Sequence, residues 1–541
     1  MNKKLEKIIH SKSFLIAMIV LLIILVISAG TYAWFTWSST NNTNLTMSIG
    51  ASSDVIFKNG NDISTNKLAP VFNYTDGEKT SFTIINKSTT SFSYRISLNI
   101  TSIDNELKNK SLKYKLVSNN TIITEGNFSN IENTNKLYEG GLFKGNVGFI
   151  FYLYIDGNEE NNLNMINKSL VGTITVEERK PALDTLNKLN SLNNTITLAN
   201  DTPDFTTVSG NNGVKIVNDN QTATGLGDGT KGIYKAEDDF GTSYYFRGAV
   251  DNNYVKFANF YWRIIRINGD GSIRMIYAGT KAYANGDTNQ DSYIGYSEYN
   301  TNYEDNGYVG YMYGNFTTPT NCNTDNSTGV TTCTGGSTSY EEAHANINDS
   351  NIKAYIDNWY NNNLKDYAYA IEDTIYCNDR SITPVDSFLD MALTGTGKGI
   401  ENTAYSGLTE GYINHTSSLK CVNKNDRFTV NNSIGNAKLT NPIALITSDE
   451  VIMGGLGNYD YANGAYIANP DSYLTTPNYW YWTMTPFAAA GGGTRVDLVH
   501  SDGYLNSNDV FDNGGVRPVV SLSSDAISGG KGTMNDPFTV G

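Results

Sequence analysis

Apolar and polar residues alternate with a period of two along much of this chain. Phe92, Tyr94, Ile96, Leu98 and Ile100 are separated by Ser, Arg and Asn, and Phe149, Phe151, Leu153 and Ile155 recur at the same spacing. That period places alternate side chains on one face of a strand, and several such strands within residues 38–178 predict a β-sandwich. The period changes at Pro181, where Leu183, Leu186, Leu189 and Leu192 predict a short helical connector inside a weakly structured linker over 179–230. From Gly241 the aromatic density rises. The segments 241–250 and 255–279 read as consecutive strands, with Asn268-Gly269-Asp270-Gly271 as the tight turn between RIIRI and IRMIY.

Two helices interrupt the second set of strands. Ile352, Tyr355, Ile356, Trp359 and Tyr360 form the apolar stripe of an amphipathic helix, capped by Asn348 or Asp349. Thr447-Ser-Asp-Glu450 is a capping box that opens another, closed by Gly454 or Gly455. Residues 231–523 therefore predict an α+β domain, and 524–541 a C-terminal tail.

One segment breaks both periods. Phe14 to Ala29 carries no charge and, continued through Trp34 and Phe35, reaches the roughly 20 residues that a membrane-spanning helix needs. Trp34 and Trp37 would be its interfacial anchors, and Lys3, Lys4, Lys7 and Lys12 ahead of it orient the remainder outward. Residues 1–37 read as a cytoplasmic head with a transmembrane anchor. The competing reading is a signal peptide cleaved near Ala33, after which the protein is secreted or held at the cell surface. The C-terminus shows neither a second apolar run nor a sorting motif of the LPxTG kind, so retention on the membrane rests on the first helix.

Composition narrows the partners. The net charge of −15 disfavours nucleic acid, whose phosphates demand basic patches. Cys322, Cys333, Cys377 and Cys421 are an even set in an exported chain, and we pair Cys322 with Cys333 and Cys377 with Cys421. No zinc spacing is present.

The stretch from Gly30 to Phe35, followed by strands such as SFTIINKS and SFSYRISLNI, resembles the secreted camelysin and biofilm-fibre family of Gram-positive bacteria. The resemblance implies a jelly-roll-like sandwich. Camelysins have been described as metalloproteases, but no HExxH occurs here and that activity is not carried over. Further on, Trp262-Arg263, the helix around Trp359, Ala444-Leu-Ile-Thr-Ser-Asp-Glu450, Tyr479-Trp480-Tyr481-Trp482 and Gly515-Val516-Arg517-Pro518 follow one another. This order is similar to a family of uncharacterised surface domains ending in Gly-Val-Arg-Pro, related to C-type-lectin-like folds and formylglycine-generating enzymes. The reactive cysteines of those enzymes have no counterpart after Cys421, and the sugar-binding Glu-Pro-Asn, Gln-Pro-Asp and Trp-Asn-Asp motifs are absent.

Candidate chemistry is sparse, and no catalytic residue is assigned. Asp287, Asn289, Asp291 and Glu298 fall at EF-hand-like positions and are the candidate ligands for calcium, although Ser292 replaces the turn glycine. His344, His415 and His500 lack triad context. His500 with Asp497 could form a base and its orienting group, yet strand alternation favours an ordinary half-buried histidine. Candidate ligand-binding residues are Tyr479, Trp480, Tyr481, Trp482, Asp497, Asp502, Tyr504, Asn506 and Asn508. Their aromatic and amide groups suit a glycan or a protein partner. The expected function is a non-enzymatic cell-surface adhesion or binding domain on a sandwich stalk. The alternative is a processed matrix or fibre subunit assembled through sheet edges.

Overall fold

The computed structural model describes residues 68–198 and 231–541, apart from 69, 88–91, 143–144, 160–164, 166–167, 325–330, 389–390, 415 and 461–464, together with the strands Phe35–Ser38, Val55–Asn59 and Ser64–Thr65. The chain is rich in β-strands with few helices and divides into two compact units, Met1–Arg179 and Lys180–Gly541.

In the first unit, Lys168–Glu178, Phe92–Ile103 and Thr134–Leu142 form one sheet, edged by Phe35–Ser38 and Ser64–Thr65. Val55–Asn59, Glu78–Asn86, Gly145–Asp156, Leu112–Ser118 and Thr121–Asn127 form the other. Alternation turns Ile96, Leu98 and Val176 of the first sheet and Phe82, Phe149 and Phe151 of the second into a shared core. Tyr94 meets Phe149 edge-on across it at 6.1 Å.

The predicted span Phe14–Ala29 lies outside the described residues, and among those described no helix is long and apolar enough to cross a membrane. Its proposed continuation through Phe35 and Trp37 is corrected. These residues pair parallel to Lys168–Leu170 and antiparallel to Ser64–Thr65, so their backbone is a strand of the sheet and the sandwich starts before residue 38.

In the second unit, the strands Phe260–Ile267, Ile273–Gly279 and Val519–Leu522 lie side by side at the middle of the larger sheet. The Asn268–Gly271 turn joins the first two, with Gly271 at φ +90°, a conformation that costs a glycine little. Tyr481–Ala490, Gly493–Val499, Leu505–Asp509, Asn513–Val516 and Gly295–Glu298 build a smaller sheet. One core, containing Trp262, Ile276, Ile356, Leu445, Trp482 and Val520, joins these elements.

Two boundaries are corrected here. Pro181–Leu192 is a helix of this unit and not part of a loose linker: Ala182, Leu186 and Leu189 enter the core, and Thr185 Oγ1 donates to Gly271 O at 2.8 Å. Residues 524–541 are not a tail, because Phe538–Val540 pairs parallel with Tyr254–Phe257 and buries Phe538 completely. The Asn351–Asn363 helix is capped by Ser350, whose hydroxyl accepts from Lys353 N, and not by Asn348 or Asp349, which pair as a short strand with Met312–Tyr313. The capping box is present as read, with Thr447 and Glu450 bonded reciprocally and Gly454 at the helix end.

Candidate functional site

The strand Tyr481–Ala490 decides which aromatic residues can reach a ligand. Nine of its ten residues are buried, so both faces are covered and alternation does not turn one pair of rings outward. Tyr481 and Trp482 are fully buried: Tyr481 Oη donates to Leu474 O at 2.8 Å, and Trp482 Nε1 to Ser297 O at 3.0 Å. Arg517 closes over the Tyr481 ring at 4.8 Å and donates to the carbonyls of Tyr277 and Leu474. Both residues are withdrawn as ligand contacts because they hold the sheet together.

Tyr479 and Trp480 precede the strand and stay near the surface. Tyr479 is 36% exposed and meets Tyr296, 48% exposed, edge-on at 5.1 Å. Trp480 stacks on Tyr479 at 5.5 Å. The group is held from behind: Tyr293 Oη donates to Tyr479 O at 2.7 Å, and Tyr479 Oη donates to Asn513 O at 3.0 Å. Rings from two distant segments thus form one fixed aromatic surface. Tyr296 had no signal in the sequence beyond its residue type, because only the pairing of Gly295–Glu298 with Asn513–Val516 brings it here.

A second group gathers Tyr504, Asp502 and Asn506. The Tyr504 ring lies between His500 at 4.4 Å and Tyr466 at 4.2 Å, both close to parallel. Asp502 approaches His500 Nδ1 at 3.5 Å, and Tyr466 Oη donates to Asn506 Oδ1 at 3.4 Å. Asn508 is half-buried on the same strand. Asp497 is not among them. Fully buried, it accepts from Ser448 Oγ at 2.6 Å, and burial pushes its carboxyl well above the usual range. It does not orient His500, which is withdrawn as a base. His344 is buried and uncharged by desolvation, and His415 lies outside the described residues.

The candidate calcium ligands do not converge on one point. Asp287 Oδ1 accepts from Asn289 N at 2.8 Å, Asp291 from Thr280 N at 3.2 Å, and Glu298 Oε2 from Thr301 Oγ1 at 2.7 Å. Asp287 and Glu298 serve their own turns, Asp291 serves Thr280 eleven residues back, and among the described residues no three His, Cys, Asp or Glu are placed to hold a metal ion.

The sequence reading missed a cavity of about 330 Å³. Its floor is an ion network in which Glu450 Oε1 meets Arg266 Nε at 3.0 Å and Arg274 Nε at 2.6 Å, while Arg266 Nη1 meets Asp238 Oδ2 at 2.6 Å. The four side chains are almost wholly buried, where charges persist only when paired. Asp379, Glu410 and Asp449 line the wall, and the Cys377–Cys421 disulfide ties the rim loop to the strand behind it. The other disulfide, Cys322–Cys333, staples the ends of a hairpin. Glu450 was visible as a capping residue; its two arginine partners, at sequence separations of 184 and 176, were not.

No protein-family model matches the sequence, and no curated protein matches it. Among solved structures, the chain has a likeness to the CBM51-2 in complex with GlcNAc and INT domains of Clostridium perfringens ZmpB, at 10% identity over 29% of this chain and 34% of that one. The TM-score is 0.10, which carries no argument about fold or ligand.

Proposed function

We propose that this is a non-enzymatic cell-surface protein whose second unit is a ligand-binding domain of the C-type-lectin-like kind and whose first unit is its sandwich stalk. The reading rests on the aromatic surface of Tyr296, Tyr479 and Trp480. Exposed rings lose apolar hydration when a flat ligand face covers them, and rings already fixed by hydrogen bonds lose little further freedom on binding. A carbohydrate, with an apolar CH face and hydroxyls at its rim, meets that demand. Two disulfides in a chain of this size agree with an oxidising, extracellular setting. The order of the Trp262 strand, the Asn351–Asn363 helix and the Gly-Val-Arg-Pro segment supports the lectin-like assignment.

The test is a glycan array probed with the full chain, with calcium and again with chelator. The proposal expects saturable, chelator-resistant binding that Tyr479→Ala weakens about tenfold, the loss that accompanies removal of an anchoring ring. Folded protein that binds no glycan would sink the carbohydrate reading and favour the matrix-subunit alternative.

A further inference from the structure

The cavity beside Glu450 has no part in the aromatic surface, and its charges do not balance. Arg266 and Arg274 are engaged by Asp238 and Glu450, and Asp239 is met by Arg427 at 3.1 Å. Three lining carboxylates, Asp379, Glu410 and Asp449, remain against one further lining cation, Lys420. Asp379 accepts from Ser381 N and Oγ, and Asp449 accepts from Ser418 N at 3.0 Å. Neither these two nor Glu410 has an ion-pair partner among the described residues. The three come from different segments, a loop after the Tyr376–Cys377 strand, the π-helical turn Gly407–Asn414 and the Ser448–Met453 helix, and all line one space. A π turn inside a fold is costly and is frequently kept where a side chain must be aimed at a site.

We propose that this cavity binds an organic cation, a primary ammonium or guanidinium carried on a group about the size of a six-membered ring, held by Asp449, Glu410 and Asp379. A bare metal ion fits less well, because it needs three or more donors converging on one point, and the described residues offer no such group. An ammonium spreads its three donors over a wider circle and can be served by carboxylates that do not converge. The volume of about 330 Å³ leaves room for the attached ring. Leu419, Ile375 and the Cys377–Cys421 bridge supply apolar wall for it.

The electrostatics support this geometry. Burial first, then Glu410, Asp379 and Glu450 nearby, push the Asp449 carboxyl up to about 8. Asp497, behind it, is raised by burial and by Asp449 in turn. Arg266 and Arg274 face the cavity from the larger sheet but are already clamped by Glu450, and Lys420 faces it from the rim loop. Near neutral pH Asp449 therefore holds a proton in the empty cavity. A bound cation favours the ionised form, so binding releases that proton and tightens as pH rises through about 8.

Calorimetry on the full chain tests this with cyclohexylammonium and its uncharged analogue cyclohexanol as probes. The expected result is saturable binding of the amine alone, proton release near neutral pH, and tighter binding above pH 8 than below it. Asp449→Asn should reduce the proton release and weaken the amine about tenfold, as loss of one charge-assisted hydrogen bond does. Glu410→Gln should weaken it similarly, and guards against a fold defect peculiar to one variant. Tyr479→Ala should leave amine binding unchanged. Equal binding of cyclohexanol, no amine binding by folded protein, or calcium binding lost in Asp449→Asn would each overturn the assignment.

Discussion

Gly514 lies against the ring of Trp480, so close that a methyl group there would collide with it and would also stand 2.6 Å from Trp482 Nε1. One glycine thus sets the position of both the half-buried and the fully buried indole. Gly514→Ala should cost about 1–3 kcal/mol by overpacking and disturb the aromatic surface. Chemical denaturation and tryptophan fluorescence check it, against Gly148→Ala, whose new methyl would meet nothing nearer than 3.9 Å. Equal midpoints for the two variants would show that the indoles yield freely.

Arg380 Nε donates to Asp426 Oδ1 at 2.7 Å, and both side chains are buried. Asp426→Ala leaves the guanidinium with only neutral acceptors, including Asn346 Oδ1 at 3.0 Å. A loss of about 3–5 kcal/mol is expected, mostly the cost of a buried unpaired charge. Replacing both residues, as Arg380→Met with Asp426→Ala, should lose less than the single change; a larger loss would mean that the pair itself is strongly stabilising.

His344 has the opposite electrostatics. Burial, and then the charge of Arg380, hold its imidazole well below the ordinary 6.5. The unfolded chain takes up this proton as pH falls through 6.5 while the folded chain does not, so stability declines on acidification. The greatest slope from this group is about 1.4 kcal/mol per pH unit. The raised carboxyls of Asp449 and Asp497 act the other way, gaining stability as pH falls because the folded state binds their protons first. The His344 contribution is therefore read as the difference between wild type and His344→Gln in urea melts across pH 5 to 7. A constant difference would contradict a neutral buried imidazole.

The two disulfides close loops of different length, 11 residues for Cys322–Cys333 and 44 for Cys377–Cys421. Loop-closure entropy then assigns them about 3 and about 4 kcal/mol. Paired Cys→Ser variants, unfolded in guanidinium, should keep that order. Only loss of Cys377–Cys421 should weaken amine binding, because that bridge alone lines the cavity.

Much of the local structure could be read before any coordinates. The strand alternation at 92–100 and 149–155, the Asn268–Gly271 turn, the Leu186/Leu189 stripe and the Thr447–Glu450 capping box are short-range patterns whose energetics are settled within a few residues, and each is present. Boundaries were read less well. Residues 181–192 and 524–541 look like connectors until their partners in the larger sheet are known, since isolated polar turns carry no mark of what covers them.

The chain's own order of residues determined that this protein would be built of strands, with three helices at marked places and four cysteines able to form two bridges. Tertiary structure decided which side of each strand meets solvent. It buried Tyr481 and Trp482 while leaving Tyr479 at the surface, because packing on both faces of a strand overrides alternation. It also assembled the cavity from segments more than 200 residues apart, Asp238 to Glu450, and closed the Arg266–Glu450 ion pair across 184 residues, since a pair at that separation leaves no pattern in sequence and forms only once folding has excluded the water between its partners.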